Sequence, residues 1–171
     1  MASIPVYLEG VNFYAVDPVI STTTPEYPGT TIAVGTRVAG TDGSEWIRVI
    51  AGGSITANDV VIITTNSSWT AQSMTNTLAS SKLGQIVGVA GATATVGQFL
   101  WMQTAGYASA VNAATGMTGF TDTRSTSTAG RIDDTITGGT TVAIAGIVLL
   151  ATAASNTAAA MLNNPAVGAN D

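Results

Sequence analysis

Very few side chains of this sequence are able to do chemistry, and the first to consider are acidic. The chain contains no Cys and no His, which excludes thiolate nucleophiles, imidazole bases and the commonest zinc ligands. Asp133 and Asp134 offer neighbouring carboxylates to a calcium ion, but a calcium loop needs alternating oxygen ligands, so a solvated turn is the preferred interpretation. Glu45 beside Trp46 is the pair that best suggests the sugar cleft of a carboxylate-based glycosidase. With so few acids, we expect no enzyme activity, no catalytic residue, no cofactor and no metal site.

Tryptophans are the second group of candidates. Trp46, Trp69 and Trp101 have the flat apolar rings on which sugars stack. Aromatic residues make up only 6% of the chain, however, so anchoring a core or an interface is the better interpretation of these side chains. We select Trp101 as a candidate interface residue.

The N-terminal residues 1–30 combine proline with further aromatic side chains. Four of the five prolines lie there, and proline at that density blocks helices and pairing inside a sheet. The segment is too aromatic for a disordered tail. We therefore predict an extended arm that buries its aromatic residues either on its own body or on a neighbouring subunit. Its candidate interface residues are Tyr7, Phe13, Tyr14 and Tyr27.

The charge of the chain limits its partners. Ten acidic and five basic residues give a formal charge of -5, and the charged fraction of 9% is far below the roughly 25% of an ordinary soluble domain. Because the basic residues are not clustered, we expect no binding to nucleic acid. The most apolar run, 142–151, is about half the roughly 20 residues that a membrane helix needs, so no membrane partner is expected. A surface rich in Thr and Ser but poor in charge suits packing against other proteins.

From residue 31 onward, short apolar runs alternate with turn residues. The predicted strands are 31–39, 45–50, 60–64, 69–74, 85–90, 97–104, 107–113 and 141–153. Asp42 and Gly43 supply the positive φ of a tight hairpin between the first two. This pattern predicts an all-β domain over 31–154, an antiparallel β-sandwich or small β-barrel. The alternative is a mixed α+β fold, if 73–82 forms a helical turn. The predicted core contains Ile62, Val87, Val89, Leu100, Ile147 and Leu149.

Two segments lack a strand pattern. Residues 114–139 are rich in Thr, Ser and Gly and carry the densest charge of the chain, which is typical of an exposed loop. Residues 155–171 form a C-terminal tail rich in Ala and Asn, in which a short helix capped by Ser155 is one option.

Four segments resemble the head decoration, or capsid cement, proteins of tailed phages. VGTRVAGTDG at 34–43, ITANDVV at 55–61, IVGVA at 86–90 and GQFLWMQTAG at 97–106 occur in the order seen in that family. The resemblance implies an all-β body, usually a homotrimer, that sits where major capsid subunits meet and holds them against the pressure of the DNA inside. The partners are then the major capsid protein and other copies of this chain.

The same resemblance implies a location. It places the protein on the capsid surface of the virion, and the absence of Cys fits synthesis in the reducing cytoplasm of a bacterial host. Residues 1–6 show no basic and apolar segments of a secretory signal. The alternative is a tail-fibre or other surface adhesin domain that binds a receptor glycan.

Overall fold

The computed structural model describes Tyr14, residues 32–136 and residues 141–170, and this part of the chain is built almost entirely of β-strands. The elements are, in order, β1 (Arg37–Ala39), β2 (Glu45–Ala51), β3 (Val60–Thr65), β4 (Thr70–Ser73), α1 (Asn76–Ser80), β5 (Val87–Ala90), β6 (Phe99–Asn112), β7 (Arg124–Ser125), β8 (Ile132–Asp133), β9 (Val142–Leu149) and β10 (Thr157–Asn170). The ten strands form one mixed sheet with the order β1-β2-β4-β3-β5-β6-β10-β9-β7-β8. The predicted all-β class is confirmed.

Five of these strands close into a small barrel. β2 pairs with β4 in parallel, and the antiparallel pairs β4–β3, β3–β5, β5–β6 and β6–β2 complete the ring. Closure leaves no free edge within the ring. Its inward side chains form the barrel core, which contains Ile47, Val49, Ala51, Ile55, Val61, Ile63, Ala71, Ala90, Ala94, Leu100 and Met102.

The hairpin that leads into the barrel follows the prediction. Gly43 has a φ of +81° and joins β1 to β2. Asp42 Oδ1 accepts a hydrogen bond from the Ser44 amide at 3.0 Å, a bond that favours the turn over an extended strand.

A second core lies outside the barrel. Alternate residues of β3 point the other way, so Val60 and Ile62 join this second core while Val61 and Ile63 fill the barrel. The second half of β6, together with β10 and β9, covers it from the opposite side; Leu162 and Ile147 are among its buried residues. All six predicted core residues are buried: Leu100 in the barrel core, and Ile62, Val87, Val89, Ile147 and Leu149 in the second core.

The two cores share β6, which is bent at Gly106. The sequence predicts separate strands at 97–104 and 107–113, but the structure has one 14-residue strand. Gly106 has a φ of +88°, and a Cβ there would lie 2.8 Å from Ser44 Cα, so only glycine fits without strain. Gln103 Nε2 donates to the carbonyls of Ala105 and Tyr107 at 3.1 and 3.0 Å, and these bonds hold the bend.

The C-terminal segment differs from the prediction. Residues set apart as a tail, with a helix as one option, form β10, a 14-residue strand between β6 and β9 in the sheet. The sequence hides this strand because Pro165 and the preceding asparagines are unusual inside a sheet. The register shifts between Leu162 and Ala166, so these residues lie in a bulge, and Gly146 on β9 passes close to Asn163.

The segment 114–139 also differs from the expected exposed loop. Met117 and Ile132 are buried in the second core, and β7 and β8 pair within this segment, of which 137–140 lie outside the described residues. The helical turn considered for 73–82 is present as α1. Thr75 caps α1 by accepting a hydrogen bond from the Leu78 amide at 3.2 Å, but a helix of five residues leaves the fold class unchanged.

Candidate interaction surfaces

Tyr14 is the described residue of the N-terminal arm, and its ring lies against Trp46 on β2. The two ring centroids are 5.6 Å apart, with an interplanar angle of 79°, which is an edge-to-face contact. Tyr14 nevertheless remains 67% exposed, whereas Trp46 is 3% exposed. Tyr14 therefore lies on the surface of the body, against Trp46, with more than half of the residue exposed.

The indole of Trp46 is held by a chain of hydrogen bonds. Its Nε1 donates to Ser44 Oγ at 2.8 Å, and Ser44 Oγ donates to Asp42 Oδ1 at 2.6 Å. The bonds from the Ser44 hydroxyl and amide lower the pKa of the Asp42 carboxyl, because they stabilise its charged form. The hairpin thus fixes the orientation of the ring that Tyr14 contacts.

The other candidate interface residues have different positions. Tyr7, Phe13 and Tyr27 lie outside the described residues. Trp101 is 3% exposed, so its side chain is covered within its own chain and offers almost no area to a partner. The structure therefore places Trp101 among the residues that build the fold.

Trp101 belongs to a cluster on the outward side of β2 and β6. Trp101 is opposite Arg48 in the strand pairing, and the Arg48 guanidinium lies 4.7 Å from the centre of the Phe99 ring, a cation–π contact. Arg48 Nη1 also donates to the Ile32 carbonyl, which ties the start of the body to the barrel. Trp69 is partly buried and packs against the barrel core.

Asp59 is a connecting residue that the sequence analysis did not single out. It is 7% exposed. Its Oδ2 accepts hydrogen bonds from the Thr56 amide at 2.9 Å and from Ser73 Oγ at 2.6 Å, and its Oδ1 accepts one from Asn112 Nδ2 at 2.9 Å. Both oxygens are occupied, so Asp59 links β4 of the barrel to the far end of β6. Its contacts are those of a structural carboxylate.

The acidic pair weighed as a calcium site forms local hydrogen bonds. Asp133 Oδ1 accepts from the Asp134 amide at 2.8 Å, and Asp134 Oδ2 accepts from the Thr118 amide at 2.9 Å. The Thr118 amide lowers the pKa of the Asp134 carboxyl. Within the described ranges, no group of three acidic side chains could hold a metal ion.

The sheet presents an unusual surface on the side that faces away from the second core. We call this surface the outer sheet face: the outward side chains of β9, β10 and β6 from 105 to 112. These three stretches contain no Asp, Glu, Lys or Arg. Met161 lies between Tyr107 and Val148 in the strand pairing, and the three side chains are 44%, 55% and 41% exposed, respectively. The sequence analysis did not predict this row, because its central strand, β10, was expected to be a tail.

Comparison with known proteins adds no relative. No protein-family model matches the chain, and no curated protein matches it significantly. Among the described residues, no helix has the length and apolar character needed to cross a bilayer. The resemblance to phage decoration proteins therefore depends on the four sequence segments between residues 34 and 106.

Proposed function

We propose that this chain is a structural virion protein that decorates the outside of a phage head and stabilises the contacts between major capsid subunits. The observation that carries the proposal is the position of Tyr14. It lies on a body that fills two cores with residues from Ile47 onward, yet 67% of its side chain is exposed. An exposed aromatic side chain at this position is suited to bind a neighbour.

The body has the properties of a rigid platform for such an arm. Its five-stranded ring is closed, and the 14-residue strand β6 is shared by both cores. A rigid body loses little conformational entropy when it binds, so the contacts made by the arm contribute more fully to affinity. Repetition of these contacts over a shell then stabilises it through multivalency.

The adhesin alternative finds less support. Sugars stack on exposed aromatic rings, whereas Trp46 and Trp101 are each 3% exposed and Trp69 is partly buried. The exposed aromatic residues of the body, Tyr107 and Phe120, lie on different strands or loops and are not arranged around a cleft described in the structure.

The test is binding of the purified chain to phage heads that lack it. We expect saturable binding to assembled heads and increased resistance of those heads to heat or to removal of divalent ions. Cryo-electron microscopy of the saturated heads should show density on the outer surface where major capsid subunits meet. Heads that bind no chain at saturating concentration would contradict the proposal.

A further inference from the structure

We propose that the outer sheet face is the contact between copies of this chain. The face is defined by Tyr107, Met161 and Val148, which lie side by side on β6, β10 and β9. This inference goes beyond capsid binding and does not depend on it, because it concerns the purified protein alone.

The composition of the face is the first argument. The solvent side of an antiparallel sheet normally alternates polar residues with the buried ones. Here Leu162 and Ile147 point into the second core, but the residues that alternate with them expose Met161 and Val148 in place of charged side chains. A row of exposed apolar side chains on a face without charged residues is a candidate interaction site.

An exposed aromatic residue lies beside the end of β9. The Phe120 amide donates to the Leu149 carbonyl at 2.9 Å, so Phe120 lies beside the end of β9 that carries Val148. Its side chain is 73% exposed and its φ is +61°.

Charge identifies the partner as a second copy. A charged partner surface would lose its hydration against this face and gain no counter-charge. A second copy brings an equally uncharged face, so two chains of net charge -5 meet without like charges inside the contact. Exposed acidic residues lie elsewhere: Asp42 and Asp122 are outside the face, and Glu45, opposite Ala105, marks its rim.

The order of the row suits a symmetric pair. A two-fold axis parallel to the strands and passing through Met161 would place Met161 against Met161 of the second copy. The same axis would place each Tyr107 against a Val148, which is the reciprocal contact expected of an isologous interface. Methionine at the centre is suited to this position because its flexible side chain fills irregular gaps.

The size of the face predicts a weak contact. Strands about 4.8 Å apart and about 3.3 Å per residue make the face roughly 14 Å by 26 Å, or about 400 Å² per copy. That is about half of the roughly 800 Å² that each partner contributes to a standard interface. We therefore expect association that depends on concentration, with a dissociation constant on the order of micromolar or weaker.

The test is sedimentation velocity of the full chain from about 5 to 500 µM, a range that brackets such an affinity. We expect the average mass to rise with concentration. Met161→Glu should raise the dissociation constant roughly a hundredfold, because it brings a charge into an apolar contact. Met161→Gln keeps the length of the side chain and adds no charge, and it should raise the dissociation constant about tenfold. This milder variant tests the contact if Met161→Glu fails to fold.

The matched control is Val96→Glu. Val96 is 67% exposed on the turn before β6, away from the outer sheet face, so this variant adds the same charge elsewhere. Its self-association should equal that of the unchanged chain. A dimer supports the proposal if Met161→Glu dissociates it, whereas a trimer does not fit the two-fold contact and would overturn the proposal. Equal association of Met161→Glu and Val96→Glu, or a monomer at every concentration, would overturn it.

Discussion

The two cores of this protein are enclosed in different ways. The barrel core is surrounded by a ring of five paired strands, so side chains such as Leu100 and Met102 are covered on every side by one continuous ladder. The second core lies between the outside of that ring and the layer formed by β6, β10 and β9. This layer has register shifts in β10, and its other side is the outer sheet face.

The two cores therefore have different roles. The barrel contributes stability, and the layer over the second core also offers a surface for binding. A closed ring has no free edge and no spare face, so the barrel serves chiefly as a scaffold. The layer over the second core has one face inside and one face outside. The outward face of this layer presents Tyr107, Met161 and Val148 to a partner. The contrast predicts that substitutions in the two cores will differ in their effects on stability.

Leu100→Ala should cause the largest loss of stability. Leu100 is 1% exposed inside the ring, which cannot collapse onto the cavity, so we expect a loss of about 4 kcal/mol. Leu162→Ala makes a similar cavity in the second core, but the bulged layer above it can relax, and the loss should be about 2.5 kcal/mol. Urea denaturation followed by circular dichroism measures both. Equal losses of stability, or a larger loss for Leu162→Ala, would contradict the distinction between the cores.

Gly106→Ala should disturb the bend in β6 that joins the two cores. A Cβ at Gly106 would approach Ser44 Cα to 2.8 Å in a backbone conformation with positive φ, so we expect a loss of about 2–3 kcal/mol. Gly43→Ala is the control, because Gly43 has a similar φ of +81° but a Cβ added there would meet no atom within 4 Å. Its loss should be about 1 kcal/mol. Equal losses would mean that the close approach to Ser44 is unimportant.

Asp59→Ala tests the hydrogen bonds that connect the barrel to the end of β6. The substitution leaves Ser73 and Asn112 without their carboxylate acceptor, and we expect a loss of about 2 kcal/mol. Asp122→Ala, at an exposed position, is the matched control and should change the melting temperature little. If Asp59→Ala and Asp122→Ala have the same melting temperature, the hydrogen bonds of Asp59 do not contribute to stability.

The smallest effect should be the pH dependence that comes from Asp134. The Thr118 amide lowers the pKa of this carboxyl from its ordinary value of 3.8, so the folded state favours the charged form. The resulting stability is fully present above the unfolded pKa and is lost as pH falls through the lowered folded pKa. Asp134→Asn should therefore weaken the loss of stability below about pH 4. Thermal unfolding of the unchanged chain and of Asp134→Asn from pH 3 to 7 measures this effect. Parallel curves of melting temperature against pH would contradict the prediction.

The sequence predicted the barrel better than the layer. Runs such as 60–64 are almost continuously apolar, which fits a strand buried on both faces, and Asp42 with Gly43 identified the hairpin. The strand β10 was missed because Pro165 and its neighbouring asparagines argue against pairing, although a bulge accommodates them. Burial of Trp101 and the links made by Asp59 depend on which strands become neighbours, and local sequence does not determine that.

The central claim is that the body folds on its own and that the arm binds the shell. The direct measurement is the occupancy, on phage heads that lack the protein, of a chain that starts at Thr31, together with its thermal unfolding. We expect the shortened chain to unfold cooperatively near the temperature of the intact chain, and to occupy far fewer sites at equal concentration. A shortened chain that is unfolded, or that decorates the heads as fully and as tightly as the intact chain, would contradict the account.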